Sequence, residues 1–78
     1  MKIVNFDSFL EFADDLGVKY RFYRIIENKL QAFMIGGKGL VIYSEIENPS
    51  QEQILKLANL GFIETKLSKE EVKEFGLE

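Results

Sequence analysis

Residues 18–46 read VKYRFYRIIENKLQAFMIGGKGLVIYSEI, three runs rich in β-branched and aromatic side chains, parted by Asn28-Lys29 and by Gly36-Gly37-Lys38-Gly39. Runs of this makeup at 18–27, 30–35 and 40–46 predict strands, because such side chains fit a pleated, half-buried surface. The short breaks between them predict the turns of an antiparallel meander.

Helix signals flank the meander on both sides. Upstream, over 6–16, Phe9, Leu10, Phe12, Ala13 and Leu16 fall on one stripe at helical spacing, Asn5 stands where an N-cap belongs, and Gly17 supplies the stop. Val4 and Phe9 have the spacing of a hydrophobic staple across that cap. Downstream, Pro49-Ser50 introduces a helix over 51–60, with Ser50 and Gln53 spaced as a capping box and Gly61 at its end. Its buried stripe is Ile54, Leu57 and Ala58, and Phe62 is placed to fold back on Leu57. Residues 62–66 predict a fourth strand, parallel to a meander strand after a crossover. A short third helix over 69–75 is marked by Ser68 and Glu71 as a capping box, by Leu67 and Val72 as a staple, and by Gly76. The expectation is an α+β fold in the order α-β-β-β-α-β-α, with two helices on one sheet face. A chain of 78 residues holds one hydrophobic core, hence one domain over 1–78.

The order helix, three strands, helix over about residues 6–60 resembles that of the double-stranded RNA-binding domain. That family opens its final helix on a cluster of lysines, where this chain has Ser50-Gln51-Glu52-Gln53. The resemblance is therefore one of topology alone.

Strand alternation sorts the sheet residues into two faces, provided the turns set the register. With Asn28-Lys29 as a two-residue turn and Ile35 opposite Leu40, one face gathers Val18, Tyr20, Phe22, Ile26, Phe33, Ile35, Leu40 and Ile42, interrupted by Arg24, Gln31 and Ser44. This is the expected core face. The other gathers Tyr23, Ile25, Ala32, Met34, Val41 and Tyr43, with Lys19, Arg21, Glu27 and Glu45 at the margin. A sheet face wetted by water alternates apolar with polar residues, and this one does not, so it calls for a cover. The third helix, with Val72, Phe75 and Leu77, is one cover, and a second copy of the chain is the other. The shortness of that helix favours the second copy, which makes Tyr23, Ile25, Ala32, Met34, Val41 and Tyr43 the expected protein interface of a homodimer.

Composition narrows the function classes. The chain has no cysteine and no histidine, which removes thiolate chemistry, the commonest general base and the commonest metal ligand. No cofactor or metal is expected, and the reading is of a non-enzymatic protein. A formal charge of -3 works against long-range attraction to phosphate. Residues 1–6 lack a basic stretch leading into an apolar one, and no run approaches the roughly 20 apolar residues that span a bilayer, so a cytoplasmic protein without membrane contact is expected. Abundant Ile, Lys and Glu without Cys, His or Trp are compatible with a thermophilic source.

Several motifs weigh against this background. Lys19, Arg21, Tyr23, Arg24 and Tyr43 interleave cations with aromatics, the chemistry by which sheet platforms stack single-stranded bases, and they make nucleic-acid binding the alternative function. Small size and acidic charge also fit an accessory protein that inhibits a nucleic-acid enzyme by occupying its channel. Gly36-Gly37-Lys38-Gly39 joins two strands and does not open a helix, so it reads as a turn and not as a phosphate cradle. Asp14-Asp15, in the last helical turn, opposes the helix dipole at a cost of roughly 0.3–1 kcal/mol each, and pairing with Lys19 or Arg21 is the simplest relief. Glu27, Glu45 and Glu47 read as a charged rim.

Overall fold

The computed structural model describes residues 2–13, 18–36, 39–66 and 70, and of Lys19 the backbone alone. The elements are β1 (Lys2–Ile3), α1 (Phe6–Ala13), β2 (Val18–Ile26), β3 (Lys29–Gly36), β4 (Val41–Glu47), α2 (Gln51–Asn59) and β5 (Ile63–Glu64). They form an α+β fold around one sheet of order β1-β4-β3-β2-β5. The meander β2-β3-β4 is antiparallel, and β1 and β5 add to its two edges as parallel strands, β1 on β4 and β5 on β2. The parallel fourth strand was legible in 62–66, whereas the two-residue β1 carries no signal of its own. The third helix expected at 69–75 and the acidic pair Asp14-Asp15 lie outside the described residues, save Glu70.

Local capping holds the helices as the side chains dictate. Asn5 Oδ1 accepts from Ser8 N–H at 2.8 Å at the start of α1. At α2, Ser50 Oγ accepts from Gln53 N–H at 3.1 Å while Gln53 Oε1 accepts from Ser50 N–H at 2.9 Å, so two otherwise orphaned donors are satisfied reciprocally. The far end closes through Gly61, at φ 89°, with Gly61 N–H on Ala58 O and Phe62 N–H on Leu57 O. That closure aims the Phe62 ring inward, where it meets the Phe9 ring at 5.4 Å.

The core lies between the helices and one sheet face. Phe9 and Ala13 of α1, Leu57 of α2 and Phe62 cover Tyr23, Leu30, Ala32, Met34 and Ile42, all buried. This inverts the expected core face: the helices cover the side that carries Tyr23, Ala32 and Met34, and β4 is turned over as well. The β2–β3 turn falls on Glu27-Asn28, both left-handed at φ 52° and 65°, so Ile26 pairs with Lys29. That differs from the expected register by two residues and leaves the side chains from Tyr20 onward grouped as alternation predicts, whereas an irregularity between Val18 and Tyr20 puts Val18 on the helix side. The β3–β4 register pairs Ile35 with Val41 instead of Leu40, a slip of one residue that turns the whole of β4 over. Ile42, Ser44 and Ile46 therefore join Tyr23, Ala32 and Met34, while Val41 and Tyr43 join Tyr20, Phe22 and Phe33.

The side chains explain which face the helices take. Ala32 and Ser44 sit opposite one another on neighbouring strands, both about fully buried, and their small volume leaves room for a helix over this part of the sheet, where Ala32 shares a core cluster with Ala13 of α1. The opposite face carries four aromatic rings and the Arg24–Gln31–Glu45 row, too bulky and too polar for close helix packing.

Candidate interaction surface

On the face turned away from α1 and α2, the five-stranded register aligns one apolar row across the sheet: Ile3 beside Tyr43, Tyr43 beside Phe33, Phe33 beside Phe22, and Phe22 beside Ile63. With strands about 4.8 Å apart the row runs roughly 19 Å. Val41, Ile35 and Tyr20 form a second apolar row next to it. Tyr20 and Phe22 stack with ring centroids 6.0 Å apart, and Phe22 tilts against Phe33 at 5.7 Å. Among the described residues, the apolar side chains packed on Phe33 are Phe22, Val41 and Tyr43, all from the sheet itself.

Exposure varies along this band. Phe33 at the centre is 1% exposed, whereas Ile3 and Ile63 at the two ends are 70% and 65% exposed and Tyr20 is 54% exposed. The ends belong to the shortest strands, whose apolar side chains have only one strand neighbour.

A polar row borders the band. Arg24 Nε donates to Gln31 Oε1 at 2.6 Å, and Gln31 Nε2 donates to Glu45 Oε1 at 3.2 Å, linking β2, β3 and β4. Arg24 is buried in this network and Glu45 is exposed. Beyond it lie Ile26, Lys29 and Glu47, with Lys29 opposite Glu47. Glu45 and Glu47 thus face amide and ammonium neighbours, and the charged rim is what their surroundings make of them.

The expected interface residues divide between the two faces. Tyr23, Ala32 and Met34 are buried in the core under the helices, and Ile25 lies on that same face at the sheet margin, 43% exposed. Val41 and Tyr43 are on the opposite face. The six therefore form no common surface, a correction that follows from the single-residue slip of β4. Tyr20, Phe22, Phe33 and Ile35, expected in the core, are the ones that accompany Val41 and Tyr43.

The alternative basic-aromatic set also divides. Arg21 Nη2 donates to Ala13 O at 3.3 Å, setting a cation at the carbonyl end of α1, where the helix dipole favours it. Tyr23 is in the core, with its phenol pushed above the usual range by burial and by nearby Glu64. Arg24 and Tyr43 lie on the far face, and the Lys19 side chain is outside the description. No platform unites the five, because neighbouring positions of one strand point to opposite sides of the sheet.

Ile3 and Ile63 escaped sequence reading. Their strands are two residues long, and only the pairing of Ile3 with Tyr43 and of Ile63 with Phe22 brings them into the row. Among the described residues no group of three acidic, Cys or His side chains is placed to hold a metal, and no helix is long and apolar enough to cross a membrane. Comparison with known protein families, with curated proteins and with solved structures finds no match.

Proposed function

We propose that this chain is a small non-enzymatic interaction protein that pairs with a copy of itself through the sheet face turned away from α1 and α2. The observation that carries the reading is the apolar row Ile3–Tyr43–Phe33–Phe22–Ile63, more than half exposed at both ends and continued by exposed Tyr20. Apolar side chains exposed at both edges of one face are the kind of surface that protein contacts cover, and aromatic neighbours with a charged rim match the makeup of protein interfaces. Neither α1 nor α2 contributes an apolar side chain to the packing around Phe33.

Sedimentation velocity over a concentration series tests the proposal. The expected outcome is a monomer–dimer transition that Tyr20→Lys shifts to higher concentration, since the new charge would be desolvated on pairing. A chain that sediments as a monomer up to roughly 1 mM, the weakest affinity worth calling specific, would rule the proposal out.

A further inference from the structure

We draw no further inference here: the strongest candidate, the apolar surface left exposed at Ile3 and Ile63 along the two edges of the sheet, belongs to the face already described, and nothing in the structure shows what covers it.

Discussion

One sheet presents two apolar faces with opposite fates. On the helix side, Tyr23, Leu30, Ala32, Met34 and Ile42 are sealed by Phe9, Ala13, Leu57 and Phe62. On the other side, Ile3, Tyr20 and Ile63 remain more than half exposed around a buried Phe33. The residue types overlap: each face has aromatics and aliphatics at alternate positions, and each is interrupted by polar groups. What differs is the volume at the centre. Ala32 and Ser44 leave space for a helix, whereas Phe33 and Tyr43 fill it. The sheet thus closes a core on one side, while on the other Ile3, Tyr20 and Ile63 keep apolar surface exposed around the buried Phe33.

The comparison predicts unequal costs for truncation. Phe9→Ala removes a fully buried ring and should cost about 3–5 kcal/mol in urea unfolding. Tyr20→Ala, measured at concentrations below self-association, should cost about 1 kcal/mol or less, since the ring is half exposed and loses chiefly its stack on Phe22. Equal costs would show that the second face is as deeply sealed as the first.

A smaller effect runs in the opposite direction. Ser44 Oγ is buried on the helix side with no hydrogen-bond partner, so its hydroxyl is desolvated without compensation. Ser44→Ala should stabilise the fold by about 1 kcal/mol, read as a higher unfolding midpoint at unchanged slope. A loss of stability would mean that the oxygen is satisfied in solution, by a water for instance.

The Glu27-Asn28 turn, which joins the strands without favouring either face, should respond more weakly still. Glu27 occupies a left-handed conformation at φ 52° that its Cβ disfavours. Glu27→Gly should raise stability by about 0.5 kcal/mol, the relief of strain being partly offset by the greater freedom of glycine when unfolded. A drop in the thermal midpoint would show that the Glu27 side chain is engaged.

Tyr23 offers a probe of the sealed face by pH. Its phenol titrates above the ordinary value of 10.0, through burial first and Glu64 second. The folded state therefore favours the neutral phenol. The associated stability is fully present below the unfolded pKa and is lost as pH rises through the higher folded value. Unfolding midpoints should fall above about pH 10 and fall less steeply in Tyr23→Phe. Identical alkaline profiles would place the Tyr23 hydroxyl in water.

Much of the local structure was legible because short-range chemistry sets it. Asn5, Ser50, Gln53 and Gly61 announce helix ends through donors and acceptors three residues apart or less, and each does what its side chain permits. The three meander strands and the parallel fourth strand followed from alternation and from the spacing of turns. The faces did not follow. A glycine-rich turn has several conformations of similar energy, and whether Leu40 belongs to the turn or to β4 depends on one backbone hydrogen bond, Gly36 N–H to Leu40 O at 2.9 Å. Ala32 and Ser44 were the overlooked signal, since small residues opposite one another mark where a helix can lie close.

The amino-acid order alone determined the three meander strands, the two described helices, the strand that follows the second of them, and that both sides of the sheet would be rich in apolar residues. Tertiary structure alone decided which side the helices took and brought Ile3 and Ile63, sixty positions apart in the chain, into one row. The reason is that alternation has a period of two residues, so a slip of one position reverses every side chain of a strand, and only packing against the rest of the molecule selects between the two outcomes.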